Sequence, residues 1–123
     1  MTPMTSRKRI ETTCGHREPD KLAVDFAGGF QTGIHVSSVY KLRQHYGLKD
    51  GPVKVVEPYQ MLGDVQPDLG EVLGVDTASL HGTGTMFGFP ASGFKAWELA
   101  DGTPVLVPDG FNTEYEANGD LLQ

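Results

Sequence analysis

Apolar residues in the first part of the chain alternate between strand-like runs and helical spacing. Three short apolar runs, residues 22–26, 53–56 and 75–80, are typical of buried strands. Polar stretches with apolar residues three or four apart predict two helices, over about 5–13 and 37–46. Because helices alternate with strands, the pattern indicates βαβ units whose strands pair in parallel.

The stretch that leads to the third run is less regular. Residues 58–73 carry apolar side chains at helical spacing, but Gly63, Pro67 and Gly70 interrupt them. Since proline and glycine both weaken a helix interior, this pattern predicts a broken helix. Residues 81–93 are expected to form a loose loop.

The pattern changes at residue 94. Strand-like segments at 95–99, 105–107 and 111–115, and a fourth that begins at Asp120, are separated by Asp-Gly, Pro-Asp-Gly and Asn-Gly turn signals. Short strands joined by such turns predict an antiparallel β-meander.

This change of pattern divides the chain into two predicted regions. Residues 1–93 form helix and strand units, and residues 94–123 form a meander that serves as an insertion or an edge sheet. We interpret a strand that begins at Asp120 as a sign that the sequence continues beyond Gln123. The alternative is a short strand at the edge of a sheet.

Composition narrows the class of protein. The 123 residues include 16 Gly and 8 Pro, which indicates many turns and few long helices. The net charge of −6 disfavours a nucleic-acid partner, and Arg7, Lys8 and Arg9 are interpreted as a solvated helix start. A single cysteine, Cys14, cannot form an internal disulfide, and no apolar run is long enough for a membrane helix or a signal peptide. These features predict a cytoplasmic protein without a membrane partner.

Three side chains are candidates for a ligand-binding mouth. Ligands in α/β sheets gather at the carboxyl ends of strands, where Asp25 ends the first run and His81 follows the third. His35, just before the second helix, is expected to reach the same mouth. Asp25 would accept a hydrogen bond or a proton, and the histidines would donate to ligand oxygens. The alternatives are that Asp25 caps the turn at Gly28 and that His35 is a structural hydrogen-bonding group.

Other chemical signals are weaker. Cys14 and His16 are at most half of a zinc site, so no metal ligand is assigned. The glycine-rich segment 82–88 lacks the lysine and the spacing of a phosphate-binding loop. Phe94 and Trp97 are interpreted as the core of the meander, with the stacking of a planar ligand as the alternative.

Several segments, taken in their order and spacing, are typical of one known superfamily. They begin with MTSRKRI at 4–10 and GHREPDKLAVDF at 15–26. They continue with TGIH at 32–35, LGVD at 73–76 and DGTPVLVP at 101–108. Together they resemble the uroporphyrinogen decarboxylase superfamily, most closely its methyltransferase-like branch. The resemblance implies the N-terminal third of a TIM-barrel-type (β/α)8 fold, with the meander at its C-terminal end. Alone, such a piece would be an α+β domain.

The resemblance also implies limits on activity. The decarboxylases carry an arginine just after the first barrel strand, where this chain has residues 27–31 without one. They carry a catalytic aspartate after the next strand, where this chain has Leu80 to Thr83. Porphyrinogen decarboxylation is therefore not expected, and no catalytic residue is assigned. The zinc ligands of the methyltransferase branch lie in a C-terminal half outside this sequence, so zinc and a corrinoid are expected only in a full-length protein.

Two functions remain open at this point. The first is an N-terminal segment of a superfamily lyase or transferase that contributes to a substrate, tetrapyrrole or corrinoid mouth and is inactive alone. The second is a stand-alone, non-catalytic binding or oligomerisation module. Because part of a barrel leaves a sheet edge uncovered, both predict possible homo-oligomers, such as a dimer.

Overall fold

The computed structural model describes residues 2–118 and 120–122, and that part of the chain has a mixed α/β structure. The helices and strands of the described part are α1 (Ser6–Cys14), α2 (Val36–His45), α3 (Pro67–Leu73), β1 (Val53–Glu57), β2 (Leu62–Gly63), β3 (Lys95–Glu98), β4 (Pro104–Val107), β5 (Glu114–Tyr115) and β6 (Leu121–Leu122). A short 3-10 helix covers Phe30–Thr32. Within the described residues, no helix is both long and apolar enough to cross a membrane.

The chain forms two compact units that are each discontinuous in sequence. Unit 1 consists of Met1–Gly33 and Val65–Leu80, and unit 2 of Ile34–Asp64 and His81–Gln123. The predicted division at residues 93 and 94 follows the change of sequence pattern and lies within unit 2.

Unit 2 contains a four-stranded mixed sheet in the order β2-β1-β4-β3. Strands β1 and β4 run parallel, with Val53 opposite Val105. Strands β3 and β4 form an antiparallel hairpin, in which Trp97 lies opposite Val105. The hairpin turns at Asp101 and Gly102, as the Asp-Gly signal predicts.

One face of this sheet packs against α2. Alternate residues of β1 and β4 are buried, as expected for strands with one covered face. Val36 and Val39, one helical turn apart on α2, are fully buried on the same side. The core of unit 2 therefore consists of this helix face and the inner faces of the two parallel strands, closed by Phe111.

Unit 1 contains α1 and α3. The Thr5 side chain accepts a hydrogen bond from the Lys8 backbone N–H and so caps α1, as predicted. The buried positions of α1 are Arg9 and Thr12, whereas Cys14 is exposed. The interpretation of Arg9 as a solvated residue is wrong, because 4% of its surface is exposed.

Two of the predicted strands are not strands in the structure. Residues 22–26 and 75–80 have irregular backbone. The prediction that they pair as parallel strands is therefore wrong, because they form no regular ladder of hydrogen bonds. The predicted broken helix over 58–73 is also only partly right, since its first part is a turn followed by β2. Parallel pairing is present elsewhere, between β1 and β4.

The predicted meander forms as two separate antiparallel pairs, β3 with β4 and β5 with β6, and the expected pairing between its second and third strands is wrong. Of the third predicted strand, only β5 forms, and it pairs with β6 in a separate two-stranded sheet. Gly119 of the third turn signal and Gln123 of the fourth strand lie outside the described residues. The segment 81–93 is not a loose loop: Thr85 and Phe89 pair through the Thr85 N–H, and Gly84 bridges Pro90.

Candidate functional site

A cavity of about 490 Å³ lies within unit 1. It borders both irregular segments that the sequence marks as strands, at Phe26 and Ala27 and at Val75 and Thr77. The remaining residues that line it are Val65, Gln66, Pro67, Gly70, Glu71, Ala78 and Ser79. This volume falls in the range that takes a small organic ligand or part of a larger one.

Helix α3 forms one wall of the cavity. It begins at Pro67, whose fixed φ suits the first helical position. Pro67, Gly70 and Glu71 are spaced three and four residues apart, so they share the face that borders the cavity. Leu69 lies on another face and is fully buried. The helix therefore presents one carboxylate and a stretch of side-chain-free backbone to the cavity.

Asp25, the first predicted site residue, contacts the cavity wall through Thr77. The Thr77 hydroxyl donates to Asp25 Oδ1 at 2.6 Å, and the Gly28 backbone N–H donates to the same oxygen at 2.9 Å. These hydrogen bonds, the one from Thr77 above all, lower the pKa of Asp25 from its usual value. The carboxylate is thus ionised at neutral pH and held in place, and it does cap the turn at Gly28, the alternative that the sequence left open.

A buried arginine holds the two segments behind the cavity. The Asp76 backbone N–H donates to the Val24 carbonyl at 2.8 Å, and the Val24 N–H donates to Asp76 Oδ2 at 3.0 Å. The Arg9 guanidinium donates to the Asp76 carboxylate and, through Nε at 2.8 Å, to Asp20. Arg9 therefore joins helix α1 to Asp76 of the second irregular segment and to Asp20, which precedes the first, through charge-assisted hydrogen bonds.

The carboxylates of this network are stabilised in their ionised forms. The hydrogen bond from Arg9 holds the pKa of Asp20 well below its usual range. Burial works to raise the pKa of Asp76, but hydrogen bonds from the Val24 N–H, Ser6 and Arg9 lower it overall. Asp76 thus acts as an anchor behind the cavity, and its charge is balanced by Arg9.

The two histidines lie in unit 2. His35 caps α2: its Nδ1 accepts from the Ser37 backbone N–H at 3.2 Å and lies 2.8 Å from the Ser37 hydroxyl. This is the structural hydrogen-bonding role that the sequence left as an alternative. His81 Nε2 lies 3.9 Å from Asp64 Oδ1. His35 also pairs through its backbone with Leu62, so both histidines adjoin the segment around β2.

Sequence reasoning missed Glu71, Thr77 and Arg9. Glu71 and Thr77 had no motif to mark them, and only the fold places them on one cavity. The sequence does contain a signal for the burial of Arg9. Since α1 has hardly any apolar residues, the face that it buries had to include a polar side chain with a charged partner.

The aromatic residues of the meander pack on each other. Trp97 lies edge-on to Phe111, with ring centroids 5.5 Å apart, and is tilted against Tyr115 at 6.3 Å. The Phe94 ring is covered by Lys54, whose Nζ lies 4.5 Å from the ring centroid. These contacts agree with the interpretation of Trp97 as a packing residue of the meander.

No group of three or more His, Cys, Asp or Glu side chains that could hold a metal ion occurs in the described part of the chain. No chemical step is assigned to a metal ion.

Comparison with models of known protein families, with curated proteins and with solved structures finds no match to this chain. The mixed α/β class rests on the structure, and the likeness to the uroporphyrinogen decarboxylase superfamily stays a prediction from the sequence.

Proposed function

We propose that this chain is the N-terminal segment of a protein similar to uroporphyrinogen decarboxylase, most like the methyltransferase-like branch, and that its unit 1 contributes to a ligand-binding mouth. The observation that supports this proposal is the position of the cavity. It borders Phe26 at the end of residues 22–26, and it borders Val75 and residues 77–79 of the second segment. The resemblance makes these two segments the first barrel strand and a following one. Asp76 and Val24 join these segments through their backbones.

In this proposal Asp25 is a positioning residue. It holds the Thr77 hydroxyl at 2.6 Å, and Thr77 is the residue that lines the cavity. The ligand contacts expected of His35 and His81 stay predictions from the sequence, and both residues belong to unit 2. Catalysis is not assigned to this chain, and zinc and a corrinoid belong only to a full-length protein of the methyltransferase type.

A cytoplasmic location and the absence of nucleic-acid and membrane partners belong to the same proposal. Support comes from the net charge of −6 and from the single, exposed cysteine.

The test is ligand binding by the purified ¹⁵N-labelled chain, measured by NMR titration with two small neutral probes, 3,3-dimethylbutan-1-ol and, separately, cyclohexanol. At least one probe should bind saturably. Ala78→Trp, which places a large ring in the cavity from an exposed position, should weaken binding at least tenfold. Ala100→Trp, at an exposed turn of unit 2, is the matched control and should bind like wild type. Failure of both probes, or binding that Ala78→Trp leaves unchanged, contradicts the proposal.

One observation favours the second function, a non-catalytic oligomerisation module. Among the described residues of unit 1, the most exposed large aliphatic side chains are Leu22 at 85% and Leu80 at 99%. Exposed apolar side chains next to incompletely paired backbone are typical of surfaces that associate with another chain. The weight-average mass of the wild type and of Leu80→Asp, measured by light scattering across protein concentration, separates this function from a monomeric binding role.

A further inference from the structure

The walls of the unit 1 cavity are unbalanced in charge. Of the eleven described residues that line it, Glu71 is the one with an acidic or basic side chain. A second carboxylate stands directly behind the wall, since Asp25 accepts the Thr77 hydroxyl at 2.6 Å. The described lining thus offers a carboxylate and no lysine, arginine or histidine, which disfavours ligands with carboxylate or phosphate groups.

The rest of the lining suits an apolar group. Phe26, which is 42% exposed, adds an aromatic ring, and Val65, Val75 and Ala78 add aliphatic surface. A cation that carries alkyl groups is attracted to an aromatic face and loses little hydration when it contacts aliphatic side chains. A small inorganic cation, by contrast, needs several oxygen ligands, and one carboxylate does not supply them.

We propose that this cavity binds a small organic cation whose charge is carried by an alkyl-substituted ammonium group, with Glu71 as its counter-ion and Phe26 as the aromatic surface beneath it. This inference rests on the proposed function, in which the cavity is a ligand-binding mouth, and it adds the chemical class of the ligand. Gly70 contributes by leaving the helix surface beside Glu71 free of a side chain. A Cβ at this position would meet nothing closer than Val75 Cβ at 3.9 Å.

The experiment compares three probes of nearly the same shape and different charge by NMR titration of the ¹⁵N-labelled chain. The probes are choline, its neutral carbon analogue 3,3-dimethylbutan-1-ol, and the anion 3,3-dimethylbutanoate. Choline should shift the amides of Ala27, Gly70 and Thr77 saturably and bind more tightly than the neutral analogue. The anion should bind weakest.

Glu71→Gln removes the charge while it keeps the shape, so it should weaken choline binding roughly fivefold, the upper end of what an exposed ion pair contributes. The affinity for the neutral analogue should not change. Glu11→Gln, on the exposed face of α1, is the matched control and should leave both affinities unchanged. Phe26→Leu should weaken choline more than the neutral analogue, because the cation alone gains from the ring.

The outcomes separate this inference from the function that it rests on. If the neutral analogue or cyclohexanol binds at the cavity but choline does not, the mouth stands and the cation class is wrong. Equal binding of choline and its neutral analogue, or loss of choline binding in Glu11→Gln as much as in Glu71→Gln, also overturns the cation class. If no probe shifts these amides, both the inference and the proposed mouth fail.

Discussion

At the scale of single residues, unit 1 is held together by polar contacts to a degree that its sequence does not reveal. Arg9 sits between two carboxylates and joins α1 to the segments around Asp20 and Asp76. Asp25 fixes Thr77 at the cavity wall. The sequence located Asp25 by its position at the end of an apolar run. It could not locate Thr77 or Asp76 as partners, because these contacts join residues 52 and 67 positions apart in the chain.

The contact between Asp25 and Thr77 is expected to stabilise unit 1. Asp25→Ala leaves the Thr77 hydroxyl and the Gly28 N–H without their acceptor, and Thr77→Val removes one donor. A double-mutant cycle of the two changes should give a coupling free energy of about 1 kcal/mol, as for a single hydrogen bond. Chemical denaturation followed by circular dichroism measures it.

Asp50→Ala, on an exposed turn of unit 2, should change the free energy of unfolding by less than about 0.5 kcal/mol. Strictly additive effects of Asp25→Ala and Thr77→Val would show that the contact is not formed in solution.

Acid is expected to destabilise unit 1. The pKa values of Asp20, Asp25 and Asp76 are all lowered in the folded chain. Their contribution to stability is therefore fully present above the unfolded pKa of about 3.9 and is lost as the pH falls through the lowered folded values. The midpoint of urea denaturation should be constant from pH 7 to pH 5 and fall between pH 4 and pH 2.

Asp20→Asn should make this loss of stability with acid less steep, because one of the three groups no longer titrates. The matched variant Asp50→Asn should keep the wild-type slope. If Asp20→Asn leaves the fall of the denaturation midpoint with pH unchanged, the role assigned to the network around Arg9 is contradicted.

At the scale of elements, the predictions held where the signal was local. Strand β1, the hairpin of β3 and β4, and helix α2 each have their own apolar spacing and a turn or cap that ends them, whereas α1 is marked mainly by its Thr5 cap. Residues 22–26 and 75–80 have an equally apolar pattern but form no ladder. At Val24, the side chain of Asp76 accepts the hydrogen bond that a neighbouring strand's carbonyl would accept. An apolar run thus predicts that a segment is extended and pairs with another, but not which group completes the pairing.

Two glycines provide a test of element packing, because the same substitution should have opposite effects. A Cβ at Gly63 of β2 would lie 2.9 Å from the Val36 Cα of α2, so Gly63→Ala must separate helix and sheet and should cost about 1–3 kcal/mol. At Gly70 of α3 there is room for a Cβ, and Gly70→Ala should stabilise the protein by up to about 1 kcal/mol. Thermal and urea denaturation measure both. Equal effects of the two changes would mean that α2 does not pack on β2 as described.

At the scale of the whole molecule, the chain divides into two units with different sources of stability. Unit 2 has an apolar core between α2 and the sheet. Unit 1 combines the buried Leu69 with the Arg9 network and leaves Leu22 and Leu80 exposed. The candidate site was predictable from the sequence only in part: the end of the first expected strand, at Phe26, borders the cavity, whereas Leu80 at the end of the other does not line it and the histidines at 35 and 81 lie in the other unit.

The exposed leucines of unit 1 are expected to make the chain self-associate. Light scattering across protein concentration should show a weight-average mass that rises above the monomer value of 13.3 kDa. Leu80→Asp should shift this rise to higher concentration, because it places a charge in the apolar surface. Met86→Asp, at an exposed site of unit 2, should not. A mass that stays at the monomer value at all concentrations contradicts the oligomerisation module.

The most direct test of the ligand-binding mouth is to find where the folded chain binds small molecules, without assuming which molecules bind. The ¹⁵N-labelled chain is titrated with a panel of neutral, cationic and anionic fragments, and the amide shifts are mapped on the sequence. If the unit 1 cavity is the ligand-binding mouth, saturable shifts concentrate at Ala27, Gly70, Thr77 and Ala78. These shifts are lost in Ala78→Trp but not in Ala100→Trp. Shifts that concentrate elsewhere, or a panel that leaves these four amides unmoved, would contradict the claim that the unit 1 cavity is a ligand-binding mouth.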